Sequence, residues 1–184
     1  MKHLLIIILS ILLLTSPLFG QSTKKIDLSL LAKELMLWMQ ANCDVPGVHP
    51  EHNFCNLNWN HPVPEITILP RKQLVKEFRN NGGYVPDGND DKIRGFYLNS
   101  GSERFTIYMR NDLDYSMAEY QSDLLHELVH YLKDKNGHHF DCPPHYEVPT
   151  YLMQLHFYKK KTGRGATARL MKEYKKDYCN TLYK

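Results

Sequence analysis

His126-Glu127-Leu128-Val129-His130 is the stretch from which the rest of the chain is read. It lies inside Met117–Asn136, where Leu124, Leu125, Leu128, Val129 and Leu132 would cover much of the circumference of a helix. A helix apolar on most sides is a buried one. Residues four apart on a helix lie about 40° apart around the axis and one turn up, so the two imidazoles project together. Two imidazoles at that spacing can share one zinc ion, and the glutamate between them then stands where it can take a proton from a water. Burial sharpens the reading, because unpaired polar groups in a core are costly and a metal would satisfy all three at once. The bland alternative is a helix whose polar face carries two histidines and a glutamate with no metal. Ser116 followed by Glu119 is a capping-box start, and Asn136-Gly137 is a stop signal.

Upstream, Lys2 is followed by the apolar run Leu4–Leu14, then Thr15, Ser16 and Pro17, with Gly20-Gln21 as a small-residue cleavage point. This is the pattern of a secretory signal peptide over residues 1–20. The run is short for a membrane span, so no stable anchor is expected after cleavage. Residues 21–184 then form one domain with its own core. A formal net charge of +3 is too weak to argue for a nucleic-acid partner. The four cysteines, Cys43, Cys55, Cys142 and Cys179, all fall in that domain. An even count in an exported chain suggests disulfides. Of the three pairings, Cys43–Cys55 with Cys142–Cys179 is favoured; buried thiols are the alternative. The lack of a C-x-x-C pair argues against a thiolate metal site.

Around the motif helix the pattern is mixed. Asp27 can cap a helix to about Asn42 with Leu28, Leu31, Leu35 and Trp38 facing the core. Cys43–Pro64 reads as a loop, and its His49, His52 and His61 as surface residues. Glu65–Leu69 reads as a strand, and Pro70 opens a helix to about Asn80. Asn80–Asp91 is a loop whose acidic cluster lacks the ligand order of a calcium site. Gly95–Leu98 and Arg104–Met109 form a plausible hairpin across Asn99–Ser102. Two more helices are expected, from about His145 to Lys161 and from about Ala166 to Leu182. Lys159–Lys161 and the basic residues beyond read as a solvated face. The expected class is α+β, a small mixed sheet or hairpin packed on about five helices.

A catalytic zinc takes three protein ligands and an open position. Downstream candidates for the third are His138, His139, Asp141, His145 and Glu147. The metzincin arrangement is excluded, since Lys133 and Asn136 stand where it needs glycine and histidine. Glu147 is the best placed. It follows a turn-rich segment and begins a helix that can pack antiparallel to the motif helix. Pro149 fits an early position in that helix. Glu127 is the candidate proton acceptor. Tyr151, one turn past Glu147, is the first choice of donor to an oxyanion, ahead of His145 and His156. Asp123, one turn before His126, could accept its free N–H.

With His126-Glu127-Leu128-Val129-His130 and a downstream Glu147, the chain resembles the gluzincin type of zinc metallopeptidase, and the stretch around Glu147-Val148-Pro149-Thr150-Tyr151 resembles small exported members of unknown substrate. The resemblance covers Arg104–Phe157. It implies a zincin-like fold, a zinc cofactor, secreted or periplasmic hydrolysis of a peptide, protein or other amide, and an edge strand at Arg104–Met109 lying over the cleft. Tyr151 departs from the thermolysin-like branch, where an aspartate at that position orients a histidine. The competing expectations are a non-catalytic exported zinc-binding protein and a disulfide-stapled interaction domain.

Overall fold

The computed structural model describes residues 26–84, 88–138 and 143–165. The expected signal segment, the helix expected over residues 166–182, and Cys142 and Cys179 lie outside them. Among the described residues no helix is long and apolar enough to cross a membrane. The architecture is α+β, with four α-helices and a three-stranded mixed sheet among the described residues.

Helix α1 (Leu28–Ala41) starts where Asp27 Oδ1 accepts the Ser29 and Leu30 N–H groups at 2.9 and 3.3 Å. Leu28, Leu31 and Leu35 are buried as their spacing predicts, joined by Met36 and Met39. The Cys43–Cys55 disulfide closes the loop that follows. Strand β1 (Glu65–Leu69) leads into α2 (Arg71–Asn80), with Pro70 at the helix entry and Leu74 and Val75 buried. Strands β2 (Gly95–Leu98) and β3 (Thr106–Arg110) form the antiparallel hairpin. Strand β1 then pairs with β3 in parallel, Glu65 opposite Thr106 and Leu69 opposite Arg110.

The strand order β1-β3-β2 puts β3 in the middle of the sheet, so the expected edge-strand role of Arg104–Met109 is corrected. All five β3 residues are buried, including Thr106 and Arg110, as suits a strand paired on both sides. Strand β2 is the edge beside the motif helix. Gly95 there is required by close approach: a Cβ would lie 2.4 Å from Met109 Sδ and 2.8 Å from the Tyr108 carbonyl oxygen.

The motif helix is α3 (Ala118–Lys135). Its C-terminus is as expected, with Asn136 at the cap and Gly137 at a φ of +74°. The Asn136 side chain also accepts from Asn58 N–H at 2.6 Å and donates to Asn58 C=O at 3.1 Å, holding the disulfide-bearing loop to the helix end. The capping box does not form. Met117 is the cap residue and makes no side-chain cap bond. Ser116 turns back to Asp114, donating to its Oδ1 at 2.7 Å, and Glu119 is taken by Arg94. Asp134 fastens α3 to the hairpin, accepting from the Tyr97 hydroxyl at 2.6 Å and from Arg104 at 2.7 Å.

Helix α4 (Pro143–Thr162) begins two residues earlier than expected, so Pro149 sits past the first turn rather than within it. It packs on α3 antiparallel: Glu147 lies opposite His130, Tyr151 and Gln154 opposite His126, and Gln154 also reaches Ser122 and Asp123. The buried Met153 and Phe157 of α4 join Leu124, Leu125, Leu128 and Leu132 of α3 and the α1 stripe in one core.

Gly95→Ala is predicted to destabilise the protein by about 1–3 kcal/mol, the usual cost of overpacking, because the Tyr108 carbonyl cannot retreat without breaking the β2–β3 ladder. Chemical denaturation against the wild type checks it; equal stability would contradict the close approach.

Candidate metal centre

Helix α3 supplies two imidazoles and α4 a carboxylate, and the antiparallel packing brings them to one point. His126 Nε2 lies 3.1 Å from Glu147 Oε2, His130 Nε2 lies 3.3 Å from Glu147 Oε1, and the two Nε2 atoms are 3.1 Å apart. Both histidines are buried, and Glu147 is half-buried. Three ligand atoms, one from each residue, all fall within 4.8 Å of one another. Such a group could hold a metal ion. It is also the group anticipated in the sequence, with Glu147 as its third member. Of the rival third ligands, His138 is not in the group, and Asp141 and the side chains of His139 and His145 lie outside the described residues.

The electrostatics follow from burial and proximity. Burial works against a charge on His126, but the hydrogen bond and charge of Glu147 prevail and raise it to about 9. Burial likewise disfavours the Glu147 carboxylate, and the two imidazoles outweigh it, holding the carboxyl well below its ordinary range. Glu127 goes the other way. Burial raises its carboxyl, only partly opposed by His126 and His130, and Glu147 adds to the rise. Lys133, one turn after His130 and 2% exposed, has its Nζ 5.4 Å from the Phe54 ring. Burial pushes it down to about 7 against the pull of Glu147.

Glu127 shares a pocket of about 130 Å³ with His126 and Tyr151, lined also by Gln154, Asp123 and the segment from Lys92 to Gly95 that enters β2. The Tyr151 ring sits 4.6 Å from the His126 ring. His156 is elsewhere, 5.9 Å from Trp38 on the face of α4 turned towards α1, so it is no donor to this site. His49 and His52 face each other at 6.2 Å in the loop, and His61 lies by Asn136.

The residue not foreseen is Gln154. Its Oε1 lies 3.2 Å from His126 Nδ1, and its Nε2 lies 3.2 Å from Asp123 Oδ1 and 3.3 Å from Ser122 Oγ. Asp123, expected from its spacing to accept from His126, is linked to it through the Gln154 amide. A signal was present: Glu147, Tyr151 and Gln154 follow i, i+4, i+7, one helix face. No family model, curated protein or solved structure matches the chain, so the geometry of this group is what points to function.

The His126 shift predicts a pH dependence for the metal-free protein. The folded value lies above the ordinary 6.5, so the stabilisation is fully present below about pH 6.5 and is lost as pH rises through about 9. The carboxylate end acts oppositely: its contribution is fully present above the ordinary carboxyl range and declines as pH falls below that range towards the depressed folded value. The buried Lys133 acts in the reverse direction over the same range, so the ion pair is read from the difference between two proteins: in thermal unfolding of chelator-treated samples, His126→Ala is predicted to lose more stability relative to the wild type at pH 6 than at pH 9. An equal loss at both pH values would contradict the ion pair.

Proposed function

We propose that the chain is an exported zinc metallopeptidase, or hydrolase of a related amide, of gluzincin-like type. His126, His130 and Glu147 hold the zinc, and Glu127 is the general base. The single observation carrying this reading is the convergence of two imidazole nitrogens and one carboxylate beside Glu127.

The donor set fits the ion. Tetrahedral zinc with bonds of about 2.0–2.1 Å places its ligand atoms about 3.3–3.4 Å apart. The two Nε2 atoms, 3.1 Å apart, stand near that spacing; each lies within 3.3 Å of a different Glu147 oxygen, and one ligand atom from each residue falls within 4.8 Å of the others. Imidazoles exclude the hard, oxygen-seeking cations. Two histidines and a carboxylate also suit ferrous iron, but a glutamate between the histidines is what hydrolysis needs and what oxygen chemistry does not. Three ligands leave an open position, as in catalytic sites.

Zinc held there supplies Lewis-acid chemistry, polarising a carbonyl and lowering the pKa of water to about 7. The protein's own groups do the rest. Glu127 accepts the proton of the attacking water and delivers it to the departing amine. Its raised carboxyl suits that double duty. Tyr151, against the His126 ring and lining the same pocket, offers a phenol to the oxygen that gains charge. The substrate we propose is a peptide or protein; another amide fits the same chemistry. The apolar leader at Leu4–Leu14 and the Cys43–Cys55 disulfide support a secreted or periplasmic location.

Glu127→Gln is predicted to keep full zinc content and to lower hydrolysis of a peptide library by about 10²–10⁴-fold, the share of a general base. Mass-spectrometric scoring of cleavage checks it, and wild-type rates in the variant would contradict the mechanism. Cleavage by neither protein would leave a zinc-binding protein that is not a peptidase.

A further inference from the structure

Building on the metal reading just given, we propose that Gln154 is the positioning residue that fixes which nitrogen of His126 faces the metal, and that Ser122, Asp123 and Arg94 fix the direction of its amide. The case rests on hydrogen-bond polarity.

A glutamine amide has a donor end and an acceptor end of nearly equal shape, so its neighbours decide which way it points. At one end of the Gln154 amide lie two oxygens. Asp123 Oδ1 is an acceptor, and it is kept one because Arg94 donates to the other oxygen of the same carboxylate at 3.1 Å. Ser122 Oγ has its hydrogen committed to the Glu119 carbonyl at 2.6 Å, so towards Gln154 it presents lone pairs. Both therefore demand the NH₂ end. The carbonyl end is left facing His126 Nδ1 at 3.2 Å, and a carbonyl can only accept. Nδ1 must then carry the proton. In a neutral imidazole that leaves the lone pair on Nε2, the atom that lies beside Glu147 and His130. The metal-binding tautomer is thus dictated across a chain of three hydrogen bonds starting at Arg94.

Arg94 itself belongs to the segment entering the edge strand. Its carbonyl oxygen accepts from Arg110 N–H of β3 at 3.1 Å, and its guanidinium lies 5.0 Å over the Tyr120 ring while also donating to Glu119 at 2.8 Å. The sheet, α3 and α4 all meet in this relay, which joins the wall of the pocket to the first metal ligand.

The test is zinc affinity measured by competition with a chromophoric chelator. Gln154→Met keeps the length of the side chain and removes both polar ends; it is expected to weaken zinc binding about 10–100-fold, the usual effect of losing an outer-shell partner. Gln154→Glu sets a carboxylate against Asp123 and is expected to weaken it similarly. Gln154→Glu keeps an acceptor towards His126, and adding Asp123→Asn removes the facing carboxylate and supplies a donor behind it; the double variant is expected to recover most of the loss, which a packing role would not do. In the zinc-loaded wild type, nitrogen-15 NMR should place the His126 proton on Nδ1. Wild-type affinity in Gln154→Met, or a His126 proton on Nε2, would overturn the inference and leave the metal site standing. No zinc binding by the wild type would overturn both.

Discussion

Two imidazoles and a carboxylate meet between α3 and α4, and the rest of the structure is arranged around keeping them there. Polar groups taken out of water must find partners, and charged ones must find opposite charges. His126, His130 and Glu147 partner one another only while the helices are antiparallel and in one register. Shifting α4 by a turn would part Glu147 from its two imidazoles and Gln154 from His126. The apolar contacts of Leu124, Leu128, Met153 and Phe157 set how close the helices come. The polar ones set which turn faces which. Packing gives the affinity of the two helices, and polarity gives their alignment.

The sheet has a narrower task. Its β2 edge begins at the pocket that Glu127 lines. Strand β3, paired on both sides and buried throughout, anchors β2, and the glycine at position 95 lets that edge lie close over Met109. The segment Lys92–Gly95 then borders the pocket, with Arg94 turned inward to the acids of α3. The disulfide loop closes the opposite end, where Asn136 grips Asn58.

Much of this was legible in the sequence because periodicity is a local property. The strands Glu65–Leu69 and Gly95–Leu98 and the α1 stripe are where their patterns put them. The three members of the metal group were legible too, because an i, i+4 pair of histidines announces itself and a helix after a turn brings Glu147 back. What was not legible depended on competition between distant residues. The capping box at Ser116 and Glu119 failed because Arg94, far away in the chain, takes the glutamate, and Asp114 takes the serine. The place of β3 in the sheet depended on a parallel pairing with β1, which no local pattern encodes. Gln154 looked like an ordinary polar residue until its neighbours Thr150, Met153 and Phe157 proved buried, and a polar side chain on a buried face is there to bond something.

The most direct test of the account is the metal content of the purified protein, expressed into an oxidising compartment and equilibrated with zinc at neutral pH, then dialysed. The account predicts one zinc per chain in the wild type and a loss of most of it in Glu147→Ala. A wild-type protein that is folded and holds no zinc would contradict it, and His126-Glu127-Leu128-Val129-His130 would then be a polar turn on a buried helix whose charges satisfy only one another.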